Sequence, residues 1–226
     1  MAGAGYPSPN FGNRRDGAQP RLIVLHYTGM DSHDAALARL CAPAAEVSAH
    51  YLISMDGSVT ALVDETRRAW HAGAGAWGAV TDVNSHSIGI ELDNPGQMPF
   101  PERQMAAVSE VLAGVMTRWT IAPQGVIAHS DMAPRRKRDP GPRFDWRRLA
   151  LEGLSVWPDA KPDLLPCPFR EAARAFGYPD LPESDLVDAF RLRFRPWARG
   201  PLDEVDAALA DDLARRYPVD ATPPAA

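Results

Sequence analysis

Residues His129 to Trp146 read HSDMAPRRKRDPGPRFDW. Pro134, Pro140, Gly141 and Pro142 break any continuous helix or strand across this stretch, so it is a shaped loop. The apolar residues just before it, Val126, Ile127 and Ala128, read as a short buried strand. His129 therefore stands at a strand end, where a fold can present a side chain to a cleft. The loop also carries Lys137, Asp139 and Asp145, so an imidazole, an ammonium and carboxylates are concentrated in one turn-rich segment.

Neutral imidazoles and carboxylates are both zinc ligands, and a catalytic zinc takes about three protein ligands and keeps one position for water. His129 and Asp139 supply two candidates. A third lies far upstream, where the β-branched run RLIVL, Arg21 to Leu25, ends in His26. Taken singly, a histidine after an apolar run is more often a hydrogen-bonded core residue than a ligand. The separation of His26 and His129 by about a hundred residues matches no compact signature of the HExxH kind.

The loop resembles the metal-binding loop of the type 2, zinc-dependent N-acetylmuramoyl-L-alanine amidases, a family that shares its fold with the peptidoglycan recognition proteins. Four further stretches resemble the same family in the same order: YPSPNFGNR from Tyr6, LIVLHYTGM from Leu22, VSAHYLISMDG from Val47, and RAWHAG with NSHSIGIEL between Arg68 and Leu92. The resemblance covers Tyr6 to about Leu149. It implies a Zn²⁺ held by His26, His129 and Asp139, with Glu91 and Lys137 as catalytic groups. The chain follows the bacterial variant of the family: Ala49 stands where phage and animal relatives carry a tyrosine, and Asp139 where they carry a cysteine. Asp145 competes with Asp139 on position alone, but DPG resembles the ligand turn and FDW does not.

The 226-residue chain has room for one large domain, or for one medium and one small. A hydrophobic content of 45% and a charged content of 23% are those of a soluble globular protein. A net charge of -5 gives no electrostatic reason to expect nucleic acid or an anionic membrane as partner. No run of about 18 apolar residues occurs, so no inserted segment is expected. The first twenty residues lack the apolar region of a secretory signal, and Cys41 and Cys167 are compatible with reduced thiols. A cytoplasmic setting is the expectation, with a periplasmic one as the alternative. Oligomeric state is not written in the sequence.

Taken in order, Met1 to Pro20 reads as an extended arm, Arg21 to His26 as a first strand, and Asp31 or Ser32 as the cap of a helix running to about Leu40. His50 to Ser54 and Ser58 to Val63 flank an Asp-Gly turn and form a hairpin. AWHAGAGAWG, Ala69 to Gly78, is too rich in Gly and Ala for a core element. Its His71, Trp70 and Trp77 suit a substrate groove for sugar or peptide, although Trp70 can equally pack beneath the loop. SIGIEL alternates as a strand and puts Glu91 on the face opposite Ile90 and Leu92. Pro101 to Trp119 is a helix with Met105, Val108, Leu112, Val115, Met116 and Trp119 on its buried face. Trp146 to Leu151 starts a short closing helix. The fold class is thus α/β, a central mixed β-sheet flanked by helices.

PDAKPDLLP, Pro158 to Pro166, reads as a linker. It divides a catalytic domain of residues 1–157 from a module of residues 167–220. The module has three amphipathic stretches, Phe169 to Phe176, Glu183 to Phe194 and Leu202 to Tyr217, and resembles the helical peptidoglycan-binding module of some amidases. Its other reading is an appendage that only packs on the first domain. The implied activity is hydrolysis of the amide between N-acetylmuramic acid, including its 1,6-anhydro form, and L-alanine. The partner is then a muropeptide or peptidoglycan. The rival reading is a recognition protein that binds the same ligand without chemistry.

Overall fold

The computed structural model of the chain describes residues 8–159 and 167–219. Tyr6 and Pro7 of the first motif, the start of the N-terminal arm, the linker from residue 160 to 166 and Asp220 lie outside the described residues.

The elements follow the sequence as β1 (Phe11–Asn13), β2 (Leu22–Tyr27), α1 (His33–Cys41), β3 (Tyr51–Ile53), β4 (Val59–Ala61), β5 (Arg67–Ala69), α2 (Val83–His86), β6 (Ser87–Leu92), α3 (Glu102–Trp119), β7 (Val126–Ala128), α4 (His129–Met132), α5 (Trp146–Leu151), α6 (Phe169–Phe176), α7 (Glu183–Phe194) and α8 (Glu204–Arg216). The main sheet has the order β4-β3-β6-β2-β7. It is mixed: β3 and β4 form an antiparallel hairpin, while β3 with β6, β6 with β2 and β2 with β7 run parallel. Ser32 caps α1 by accepting from the Ala35 amide. The arm is pinned rather than merely draped, because β1 pairs with β5 and Asn10 donates to the Ala42 and Val47 carbonyls.

The two faces of the sheet differ because strand residues alternate sides. Ile23 and Leu25 of β2, Ile88, Ile90 and Leu92 of β6 and Val126 of β7 pack against Met105, Val108, Leu112 and Val115 of α3. On the opposite face β2 offers Leu22, Val24 and then His26, while β6 offers Ser87, Gly89 and Glu91. One end of that face is apolar and the other is small or polar. The apolar end is covered by the C-terminal helices: Leu22, Val24 and Ile127 share a cluster with Trp77, Phe176, Phe190 and Phe194. Sheet and module therefore bury one common core.

Segment 69–78 departs from its expected character. Ala69, Ala72 and Trp77 are fully buried. Trp77 packs edge-on against Phe176 and Tyr178, with ring centroids 5.4 and 5.2 Å away. Gly177 makes this possible: a Cβ there would sit 2.3 Å from the indole. Small residues let the loop dive into the core, and the indole fills the space beneath the module. The stretch from His129 to Trp146 also begins differently, since His129 opens the single helical turn α4 before the prolines take over.

Phe176→Ala is expected to lower stability by about 3–5 kcal/mol, the usual cost of emptying a buried aromatic site. Because the core is common, calorimetry should show one cooperative unfolding transition. Two separate transitions, one for each half of the chain, would contradict the shared core.

Candidate active site

Register brings the chemistry together. His26 of β2 lies directly beside Glu91 of β6 on the same face, and Leu25 pairs with Ala128, so His129 enters one residue beyond the paired end of β7. The loop then returns Asp139 to the same point, fastened by the Ser130 amide donating to the Asp139 carbonyl at 3.0 Å. His26 Nδ1, His129 Nδ1 and Asp139 Oδ2 meet at mutual separations of 2.8, 3.0 and 2.9 Å. All three residues are buried and form a group able to hold a metal ion.

The outer nitrogens decide which way the inner ones face. Ser87 donates its hydroxyl proton to the Val83 carbonyl at 2.6 Å, so toward His71 Nε2, 3.1 Å away, Ser87 Oγ is the acceptor. His71 then carries its proton on Nε2, and its Nδ1 accepts from His26 Nε2 at 3.0 Å. His129 Nε2 donates to the Ala72 carbonyl at 2.8 Å. Burial holds His26 near a pKa of about 4, with His129 pushing the same way, and burial with the neighbouring imidazoles holds His71 well below the usual histidine range, so His26 and His71 are neutral near pH 7. A neutral imidazole with its proton on Nε2 presents a lone pair at Nδ1, and the Nδ1 atoms of His26 and His129 face a point that Asp139 Oδ2 also faces. Three electron-pair donors at such separations repel one another until a cation sits among them. The donor set fits a metal, and the partners behind each imidazole are those that orient metal ligands.

His71, expected at the groove, lies mainly behind His26. Gly89 gives it room, because a Cβ there would stand 2.4 Å from the imidazole. Ser87, Gly89 and the Ala72 carbonyl were not singled out from sequence. The alternation of SIGIEL, which places Ser87, Gly89 and Glu91 on one side, was the available signal.

A cleft of about 420 Å³ opens over these atoms, and Glu91, Lys137, Trp70 and His71 line it with the three ligand candidates. Trp77 is absent from that lining: the structure corrects its expected substrate contact, because the indole is needed in the core. Asp145 caps α5 by accepting from the Arg148 amide and is thereby occupied elsewhere. Glu91 Oε2 is buried without a hydrogen-bond partner among the described residues. Burial pushes the Glu91 carboxyl up to about 8; the charge of Asp139 adds to the rise and the Lys137 ammonium opposes it. A carboxyl held this way is poised for proton exchange. Arg39, Arg136 and Arg138 join Lys137 around the cleft, a concentration of positive charge in a chain of net charge -5.

His71→Ala is expected to weaken metal binding by about 10–100-fold while the chain stays folded, as loss of a ligand's hydrogen-bond partner does elsewhere. Gly89→Ala should have the same sign by displacing the ring. Chelator competition measures it, and unchanged affinity in both variants would contradict the orienting role.

Comparison with known proteins adds five findings. The family described as N-acetylmuramoyl-L-alanine amidase matches residues 16–142. The N-acetylmuramoyl-L-alanine amidase AmiD of Escherichia coli is 35% identical, over 88% of this chain and 85% of its own length. Its structure in complex with the substrate anhydro-N-acetylmuramic acid-L-Ala-D-gamma-Glu-L-Lys superposes with a TM-score of 0.80, over 91% of this chain and 93% of that one. AmpDh3 of Pseudomonas aeruginosa superposes with a TM-score of 0.81 at 32% identity, over 96% of this chain and 99% of its own. The 1,6-anhydro-N-acetylmuramyl-L-alanine amidase AmpD of Citrobacter freundii is 33% identical over 63% of this chain and 86% of its own length.

Proposed function

The chain belongs to the N-acetylmuramoyl-L-alanine amidase family and is an enzyme of that activity, and we propose that it works with a Zn²⁺ held by His26, His129 and Asp139. The observation that carries this reading is the convergence of three lone-pair atoms, oriented from behind, beside a buried carboxylate and a lysine in one cleft. The substrate is a muropeptide, cut between the lactyl carbonyl of muramic acid, in its 1,6-anhydro form among others, and the nitrogen of L-alanine.

Zinc at this position would polarise the scissile carbonyl and acidify the attacking water. Glu91 takes a proton from that water and delivers it to the departing amine of L-alanine, so one carboxylate serves as base and then as acid. Glu91 lines the cleft beside His26, and its Oε2 has no hydrogen-bond partner among the described residues, so no other hydrogen bond holds that oxygen. Lys137 places its positive charge in the same cleft, where it stabilises the oxyanion formed as the carbonyl is attacked. The stem peptide carries free carboxylates, and Arg39, Arg136 and Arg138 give the cleft the complementary charge. Trp70 offers a ring face at the cleft wall to sugar or peptide. A protein that only bound the ligand would need neither Glu91 nor Lys137.

We also propose that the enzyme acts on soluble anhydromuropeptides in the cytoplasm. The free thiols of Cys41 and Cys167 are in keeping with a reducing compartment. Fractionation of the host tests the placement: enzyme found mainly in the periplasm, or faster cleavage of sacculi than of anhydromuropeptides, would overturn it and leave the chemistry intact.

Glu91→Gln is expected to retain zinc and substrate affinity and to lose about 10²–10⁴-fold in kcat. Lys137→Ala should fall similarly. Asp139→Ala should lose both zinc and activity while remaining folded, because the loop is not part of the sheet. Product identification by mass spectrometry with elemental analysis decides it, and stoichiometric zinc in His129→Ala would sink the ligand assignment.

A further inference from the structure

The C-terminal helices reach further into the first domain than packing requires. Arg193, at the end of α7, is fully buried and donates from Nη1 to Asp131 Oδ2 at 2.6 Å. Its Nη2 donates to the Val126 carbonyl and to Ser155 Oγ, each at 3.1 Å. The guanidinium lies 4.2 Å from the Trp146 ring centroid, which fixes its plane. Tyr178, between α6 and α7, donates its hydroxyl to the other oxygen, Asp131 Oδ1, at 2.7 Å. Asp131 is thus held on both oxygens by the module.

Asp131 is also part of the metal loop. It lies two residues after His129 in α4, and its Oδ2 accepts from the Ala128 amide at 2.9 Å. That contact ties the residue before His129 to the helical turn that carries it. On the other side the Ser130 amide holds the Asp139 carbonyl. The position of α4 therefore sets the entry angle of His129 and, one hydrogen bond further, the placement of Asp139.

We propose that Arg193 and Tyr178 are positioning residues for the metal centre, and that the C-terminal module braces the ligand turn through Asp131. The module then completes the catalytic site as well as covering the sheet. Removing the brace frees α4 to rotate and loosens two of the three ligands together. The inference rests on the metal reading of His26, His129 and Asp139, so unit zinc in the unaltered chain is established first.

Tyr178→Phe removes one hydroxyl and keeps the ring in the core. It is expected to weaken zinc binding by about tenfold, in line with the loss of other groups that orient ligands, and to alter the absorption bands of the Co²⁺-substituted protein. Arg193→Met should lose more, and Arg193→Lys should recover part of that loss by restoring a charge beside Asp131. Leu213→Ala is the control: it opens a cavity at α8, which packs on α6 and supplies none of the hydrogen bonds to Asp131, lowers thermal stability, and should leave zinc affinity unchanged. Wild-type zinc affinity and Co²⁺ spectrum in folded Tyr178→Phe would overturn the brace while leaving the metal reading standing. A loss in Leu213→Ala equal to that in Tyr178→Phe would overturn it too, by showing that any destabilised module has the same effect. If Arg193→Met fails to fold, Tyr178→Phe decides.

Discussion

Two imidazole nitrogens and a carboxylate oxygen lie within 3.0 Å of one another with their electron pairs facing inward. Atoms so arranged repel until a cation joins them, so the rest of the molecule must hold them against that repulsion. The parallel pairing of β2 with β6 and β7 does most of this, because it fixes where both histidine-bearing chains end. Hydrogen bonds then fix how the rings turn. Val83, Ser87 and His71 form a line behind His26, and the Ala72 carbonyl stands behind His129. A rotation of either ring would strand a buried donor or acceptor, which costs about 1–3 kcal/mol.

The same face of the sheet must be apolar where the module covers it and polar where the substrate enters. Strand alternation meets both demands within β2, where Leu22 and Val24 lie under the helices and His26, two residues on, lies in the cleft. In β6 the three residues of that face are Ser87, Gly89 and Glu91, so nothing bulky competes with the imidazole of His71 for the space above Gly89. Burial of this end also raises the Glu91 pKa to about 8. A positive charge at the metal position would draw that carboxyl back toward its ionised form, which links the state of the base to occupancy of the site.

Much of this was legible in the sequence because it is local. Periodicity marks α3, the Asp-Gly turn marks the hairpin, and SIGIEL shows which side Glu91 faces. His26, His129 and Asp139 could be grouped only through the resemblance of ordered motifs, since no spacing rule links residues a hundred positions apart. Trp77 shows where local reading stops. An aromatic among glycines and alanines suits an open groove and a core equally well, and its partners Phe176 and Tyr178 lie about a hundred residues later. Arg193 was illegible for the same reason: the amphipathic pattern of Glu183 to Phe194 does not single it out, and only the packed structure shows it buried against Asp131.

That ion pair poses a question of its own. Taking two charges out of water is expensive, and apolar replacements of a buried pair are often neutral or stabilising. Stability alone therefore gives little reason for Arg193 and Asp131 to lie against a core that is otherwise apolar. Geometry gives a better one. A carboxylate can receive the Ala128 amide, the Tyr178 hydroxyl and a guanidinium at the same time, and those three donors come from the strand before His129, the α6–α7 connection and the end of α7. No apolar side chain joins three elements in fixed directions, because dispersion contacts tolerate sliding where hydrogen bonds do not. The desolvation cost of the pair is reasonable where the turn it anchors must place a ligand to within a fraction of an ångström.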